Sequence, residues 1–390
     1  MDTQNTPIHI RLWNKDFWLL SIAHLLLITS MYILIPAIPA RMQAHGYSDM
    51  ETGLAMGAMG IGIFLFGGFV SYLIKAHSRN RVCQYSILCI IACIACLYYI
   101  DSIATQASSV RYYFIIRLLM GAFYGLAEIT LMSTLIIDTC ESFQRTEANY
   151  SFSWFGRLAL AIGPLASILI YRSMGYANDL LMACSCAFAA IILISSVHFT
   201  PKAPGEILKI FSLDRFFLPQ GFLLFISTVL VTTILGLVFS TTKDPVFYAM
   251  LITGFFFSFL AEKYAFANAD LKSEALTGLI CIGTAILLLI TRYDIIVNKL
   301  APALIGFGIS LIGSRFLLFF VKLSKHCQRG TSQSSYFLGW EAGLSLGLFL
   351  GYGILSDGNK ALIVAFVLTI VTLFFYNFIV HPWYMKHKNR

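Results

Sequence analysis

Long apolar stretches separated by short polar segments run through the whole chain. Twelve of them reach about 18 residues or more, the length that an α-helix needs to cross a bilayer. They cover residues 16–40, 52–74, 82–100, 110–137, 149–172, 179–198, 219–241, 245–262, 273–291, 297–322, 334–356 and 361–384. The pattern predicts an all-α membrane protein with twelve transmembrane helices.

The composition agrees with this prediction. Of the 390 residues, 58% are hydrophobic and 12% are charged, whereas soluble domains carry about a quarter charged residues. The net charge of +8 comes from basic residues between apolar runs, without interleaved aromatics, so we expect no nucleic-acid partner. The expected partners are the bilayer and a small solute, and we expect a monomer in a cell membrane, of the bacterial inner-membrane type.

Cysteines do not indicate a metal site. Cys89, Cys93 and Cys96 recur at helical spacing, but no histidine or acid lies nearby, which favours packing in an apolar helix over metal ligation. We therefore expect no metal and no cofactor.

The distribution of basic residues predicts the orientation. With both termini placed in the cytoplasm, the inside loops and tails hold 17 lysines and arginines and the outside loops hold 7. Basic residues accumulate on the cytoplasmic side of membrane proteins. Both termini are therefore predicted to be cytoplasmic.

The longest polar connection, residues 200–220, divides the chain. It predicts an N-terminal six-helix bundle over residues 1–199 and a C-terminal six-helix bundle over residues 221–390. Within the linker, residues 206–217 alternate apolar and charged positions at near-helical spacing. This spacing predicts a short amphipathic helix on the cytoplasmic membrane surface, and an inert tether is the alternative.

An internal repeat supports two related halves. Each half has a Gln-Arg pair whose arginine lies 12 residues before a charge, Arg157 in the fifth span and Glu341 in the eleventh. Gly163 and Gly347 lie six residues after these charges, and the offset between the two matches is 184 residues. Transporters are often built from such repeats, so the halves are predicted to be pseudo-symmetric.

This organisation resembles the major facilitator superfamily. The fourth span has Arg117, Gly121 and Gly125, similar to the Arg-x-x-x-Gly pattern of that family. The fifth span has Gly163-Pro164, which resembles the Gly-Pro motif of the drug/proton antiporter branch. The resemblance implies a carrier that works by alternating access, with a central cavity between its two halves.

The loop after the second span departs from the family pattern. Gly67-Gly68 is followed by Lys75, Arg79 and Arg81, without the acid that the family has there. We therefore expect the family's usual charge lock at this loop to be absent.

Five charges lie well inside the predicted spans, away from the span ends: Arg117, Glu128, Arg157, Arg315 and Glu341. A charge in a span costs about 2.5–3.5 kcal/mol on insertion scales and usually has a partner. Depths counted from the span ends predict two ion pairs, Glu128 with Arg157 and Arg315 with Glu341. These pairs either handle substrate and protons or only hold helices together.

Other candidate pathway residues flank these charges. Tyr124 lies on the same helical face as the charges of the fourth span, and His24 either titrates near neutral pH or packs through a hydrogen bond. Tyr150, Trp154 and Trp340 either stack on a ring of the solute or pack between helices.

We predict a secondary transporter rather than an enzyme. The glycine-rich stretches 57–62 and 343–353 are not followed by a phosphate-binding lysine, so ATP hydrolysis is not expected. A proton gradient is the expected driving force. The favoured function is proton-coupled efflux of a small amphipathic or anionic compound. Proton-symport uptake of an organic anion or nutrient is the alternative, and a membrane-embedded lipid-modifying enzyme is a remote one.

Overall fold

The computed structural model describes residues 12–103, 106–141, 143–199, 209–266, 269–292, 294–325 and 328–388. This part of the chain is all-helical, without strands. Its twelve helices that are long and apolar enough to cross a membrane are α1 (Lys15–Ala44), α2 (Asp49–Ala76), α3 (Arg79–Ser102), α4 (Val110–Asp138), α5 (Arg145–Met174), α6 (Tyr176–Ser195), α7 (Pro219–Thr241), α8 (Pro245–Tyr264), α9 (Leu271–Thr291), α10 (Ile295–Leu323), α11 (Arg329–Ile354) and α12 (Gly358–His387).

All twelve predicted spans are confirmed, and local chemistry explains where several begin. The Asn14 side chain accepts a hydrogen bond from the Phe17 amide at the start of α1. Ser48 and Glu51 form a reciprocal capping box at the start of α2. Such caps satisfy amide groups that the first helical turn leaves without partners.

Helix packing repeats between the two halves. In the first half α1 packs on α5 and α6, and α4 packs on α2 and α3; in the second half α7 packs on α11 and α12, and α10 packs on α8 and α9. The inner helices α1, α4, α7 and α10 bury 67–78% of their most apolar segment, against 28–39% for the outer helices α3, α6, α9 and α12. The observed packing has the pseudo-symmetry that the repeat predicts.

Two seams join the halves. One lies between α2 and α11 and the other between α5 and α8. The internal repeat matches α2 to α8 and α5 to α11, so the two seams correspond to each other. Along the first seam, a Cβ at Gly53 would lie 2.5 Å from the Cα of Gly353. The backbones of the two halves are therefore in direct contact there.

Glycines of the sequence motifs lie at close contacts within the first half. A Cβ at Gly121 in α4 would lie 2.3 Å from the Met59 carbonyl oxygen of α2, and Gly125 faces the same helix. A Cβ at Gly163 in α5 would lie 2.8 Å from the Cβ of Tyr32 in α1. Helix α5 continues through Pro164 to Met174. These residues have the role of small interface residues in membrane helices.

The predicted linker helix is not formed in the described part of the linker. Residues 209–218 form turns and bends, and the remainder of the predicted segment lies outside the described residues. The Ser212 amide donates to the Gly68 carbonyl at 2.9 Å, and the Leu218 amide donates to Ser335 at 2.7 Å. Contacts with α2 and α11 replace helical hydrogen bonds, so the linker bridges the two halves. We call this end of the bundle the linker side and the opposite end the far side.

Candidate functional site

A small polar cavity lies at the centre of the molecule, between the two halves. Helices α1 and α5 of the first half and α11 of the second half contribute its polar side chains. These are His24, Tyr32, Ser153, Arg157, Gln333, Tyr336 and Glu341. The space open to the centre of a water molecule is about 50 Å³, enough for a few waters. An organic solute requires a wider cavity than this conformation has.

Arg157 extends from α5 into the second half. Its Nη1 donates to the Ser310 carbonyl at 2.7 Å and to the Ser314 hydroxyl. Ser314 in turn lies 2.8 Å from the Glu262 carboxylate and donates to it. The predicted Glu128–Arg157 ion pair is therefore wrong in this structure: Arg157 is connected to Glu262 of α8 through a serine.

Glu341 makes the reciprocal connection from α11 into the first half. Its Oε1 accepts hydrogen bonds from the hydroxyls of Tyr32 at 2.6 Å and Tyr124 at 3.3 Å. Among the described residues, no lysine or arginine forms an ion pair with it. Glu341 is thus a buried carboxylate held by two phenols of the opposite half.

Arg315 does not belong to this cavity, and its predicted pairing with Glu341 is wrong. It pairs within the second half with Glu274 of α9, where both Nε and Nη2 lie 2.5 Å from the Glu274 carboxylate. The side chains are 15% and 1% exposed. This buried pair holds α9 against α10, away from the interface between the halves.

Glu128 pairs with His24 inside the first half. The His24 Nδ1 lies 2.8 Å from the Glu128 Oε2, and its ring stacks on Phe152 with ring centres 4.0 Å apart. His24 is therefore hydrogen-bonded and packed, which is the second of its two predicted alternatives, and it also lines the cavity. The Glu128 Oε1 has no hydrogen-bond partner among the described residues.

The predicted inner face of α4 is confirmed. Arg117, Gly121, Tyr124, Gly125 and Glu128 are all buried. Arg117 is 1% exposed, and its Nε and Nη1 have no hydrogen-bond partner in the described part of the chain. Arg117 does not line the central cavity in this conformation.

Of the three predicted aromatic residues, Trp154 and Tyr150 contact charged side chains beside the cavity, and Trp340 lines the cavity itself. Trp154 lies with its ring 4.3 Å from the Arg157 guanidinium carbon, a cation–π contact. Tyr150 donates to the Glu262 carboxylate. Trp340 lines the cavity and packs against Tyr336.

Several residues of the site are not among the sequence predictions. They include Tyr32, Ser153, Glu262, Ser314, Gln333 and Tyr336. Glu262 is the last residue of the predicted eighth span, α8 extends two residues further, and its side chain is buried. Tyr32 and Ser314 have no distinguishing motif.

Comparisons with known proteins agree with this architecture. The sequence model described as Major Facilitator Superfamily matches residues 20–348. No curated protein sequence matches the chain.

Solved structures with the same fold are transporters. One is an auto-inhibited POT family peptide transporter, with a TM-score of 0.67 and 12% identity over 97% of this chain and 98% of that chain. Another is the human organic anion transporter MFSD10 (TETRAN), with a TM-score of 0.66 and 13% identity over 93% and 99%. A third is a bacterial homologue of the human lysosomal transporter Spinster, with a TM-score of 0.68 and 11% identity over 96% and 98%. At these identities the likeness shows the fold alone.

Proposed function

The chain belongs to the Major Facilitator Superfamily, and from this premise we propose that it is a proton-coupled carrier of a small amphipathic organic solute. It is a multi-pass membrane transporter rather than an enzyme. Beyond the family, we propose the proton as the coupling ion, an amphipathic compound as the solute, and efflux across a bacterial inner membrane as the direction of transport.

Proton coupling rests on the position of Glu341. An ionised carboxylate away from water costs free energy unless it is paired, and proton binding removes that cost. Glu341 is held by Tyr32 and Tyr124 across the interface, so separation of the halves removes these donors. Movement between conformations then changes the surroundings of the carboxylate, which couples proton uptake and release to the transport cycle.

The solute class follows from the side chains around the cavity. The cavity has one guanidinium, one carboxylate and His24, and aromatic rings of Tyr336, Phe337 and Trp340 form part of its wall. An amphipathic solute fits rings beside a few charged groups. Because Arg117 and Arg315 do not line the cavity, one arginine is balanced by one glutamate there, and the lining does not favour a purely anionic solute.

The efflux direction rests on the Gly163-Pro164 motif, which resembles the antiporter branch. Proton-symport uptake of an organic anion is the second candidate, because Arg157 lines the cavity and a guanidinium binds anionic groups. The relative direction of proton and solute movement separates the two.

The test is transport by the purified protein in proteoliposomes containing a pH-sensitive dye. A pH gradient is imposed and a panel of small organic acids, zwitterions and lipophilic cations is offered. We expect solute movement opposite to proton movement for the wild type. We expect Glu341→Gln to lose gradient-driven flux by about tenfold or more, the size of effect of removing a proton-transfer group, while solute exchange without a gradient persists.

Glu147→Gln is the matched control, because Glu147 is an exposed acid at the start of α5. Unchanged gradient-driven flux in Glu341→Gln would remove this carboxylate from the coupling mechanism. Solute moving together with protons would support uptake instead of efflux.

A further inference from the structure

A second cavity lies on the linker side, between the ends of helices from both halves. The space open to the centre of a water molecule is about 320 Å³, larger than the central cavity. Four arginines line it: Arg79, Arg145, Arg215 and Arg329. They come from the start of α3, the start of α5, the linker and the start of α11. All four side chains are half-buried.

Among the described residues of this lining, arginines outnumber carboxylates. Asp138 is the one carboxylate among the described residues that line it, and it forms an ion pair with Arg79. Asp214 is close in the chain but lies 3.8 Å from the Lys75 ammonium and does not line the cavity. The Nε of Arg145 is buried and has no hydrogen-bond partner among the described residues.

Arg215 and the first turn of α11 both add positive potential to this cavity. Arg215 has a φ of 60°, a left-handed conformation that is uncommon for a residue other than glycine, and its amide donates to Thr331 at 2.9 Å. Burial lowers the pKa of Arg215, and the charge of Arg79 lowers it further. Gly330 and Thr331, in the first turn of α11, also line the cavity, and the N-terminus of a long helix favours anions.

We propose that this cavity binds a phosphate-bearing anion that connects the two halves on the linker side. Guanidinium groups present planar pairs of donors that match the oxygens of phosphate. Arg79 and Arg145 belong to the first half, whereas Arg329 belongs to the second, so one anion contacts both halves. The bound anion favours the conformation in which the linker side is closed.

The first experiment measures the thermal stability of the purified full-length protein in detergent. Inorganic phosphate is compared with sodium chloride at equal ionic strength. We expect phosphate at saturation to raise the unfolding midpoint of the wild type by about 2–4 °C. The double variant Arg145→Gln/Arg329→Gln is expected to lose this shift, and Arg292→Gln, an exposed arginine on the far side, is expected to keep it.

Circular dichroism and gel filtration establish that the double variant is folded. If it is not, Arg145→Lys replaces it, because lysine keeps the charge but not the planar donors, and the phosphate shift is expected to fall. A shift no larger than that of chloride in the wild type would overturn the proposal. A shift of equal size in a folded Gln or Lys variant would overturn it as well.

A second experiment distinguishes a free anion from a lipid headgroup. The protein is placed in vesicles of phosphatidylcholine with or without phosphatidic acid, and cysteines at positions 133 and 330 report closure, because a Cβ at Gly330 lies 3.2 Å from the Cβ of Ser133. Faster cross-linking with inorganic phosphate supports a free anion, and faster cross-linking with phosphatidic acid alone supports a headgroup. No acceleration by either would overturn the connection between the halves.

Discussion

Arg157 and Glu341 occupy matched positions of the repeat, and each makes hydrogen bonds to the opposite half. Arg157 donates to Ser310 and Ser314, and Glu341 accepts from Tyr32 and Tyr124. Neither forms an ion pair within its own half among the residues that the structure describes. These contacts must break when the halves separate, which makes the two residues suited to a cycle between conformations.

Arg315 and Glu274 differ from Arg157 and Glu341, because their contact lies within one half of the molecule. Removing one partner of a buried pair leaves the other charge uncompensated, at a cost of about 3 kcal/mol or more. We therefore expect Arg315→Gln to lower the unfolding midpoint, with transport per folded molecule unchanged. Thermal unfolding followed by intrinsic fluorescence, combined with the flux assay, measures both.

The double variant Arg315→Gln/Glu274→Gln is the control for this prediction. It removes both charges and is expected to recover part of the lost stability. Equal stability of Arg315→Gln and the wild type would show that the pair contributes nothing. A loss of transport beyond the loss of folded protein would place Arg315 in the pathway after all.

At the scale of elements, close helix contacts are repeated between the halves. Gly163 brings α5 against α1, and Gly347 brings α11 against α7, where a Cβ would lie 2.2 Å from the Thr233 carbonyl oxygen. Helix α11 also has a π-helical turn at Leu350–Ile354, and α4 has one at Leu131–Leu135. Such turns are frequent at functional sites.

Gly347→Ala tests the close contact of α11 with α7. A backbone oxygen at 2.2 Å cannot give way as a flexible side chain can, so the helices must separate, at a cost of about 1–3 kcal/mol. We expect a lower unfolding midpoint than for the wild type. Gly283→Ala in α9 is the matched control, because its nearest neighbour is a side-chain methyl at 3.4 Å; equal midpoints for the two variants would contradict the prediction.

At the scale of the whole molecule, the two halves are in contact at both ends. On the linker side Gly330 faces Ser133, and on the far side Gly53 faces Gly353. Together with a central cavity of about 50 Å³, this describes a closed conformation. Alternating access requires each end to open in turn.

Cross-linking at either end is therefore expected to stop transport. The linker side is tested by cysteines at positions 133 and 330, and the far half of the α2–α11 seam by cysteines at positions 57 and 349, where a Cβ at Gly57 lies 3.0 Å from that of Phe349. The nine native cysteines are replaced first. We expect oxidation to abolish flux and reduction to restore it.

Cysteines at positions 228 and 339 are the control, because they join α7 and α11 within one half, with a Cβ at Gly339 lying 3.3 Å from that of Thr228. This cross-link is expected to leave flux unchanged. Continued flux with a complete cross-link between the halves would contradict rigid-body movement of the halves.

The sequence alone determined the twelve spans, the division into related halves and the buried face of α4. Each of these follows from local rules: a helix rises about 1.5 Å per residue, a bilayer core is about 30 Å thick, and side chains 3.6 residues apart share a face. The burial of Arg157 and Glu341 followed from the same rules, because an apolar helix takes its charges into the membrane.

Only the tertiary structure decided which groups these charges meet. Depth along the membrane placed Glu128 near the level of Arg157, but hydrogen bonding also depends on helix rotation and on which helices are neighbours. Packing placed α8 and α10 beside α5, so Arg157 meets Ser314 and, through it, Glu262. Arg157 and Ser314 are 157 residues apart in the chain, and Ser314 and Glu262 are 52 apart, so no periodicity within one segment contains that information.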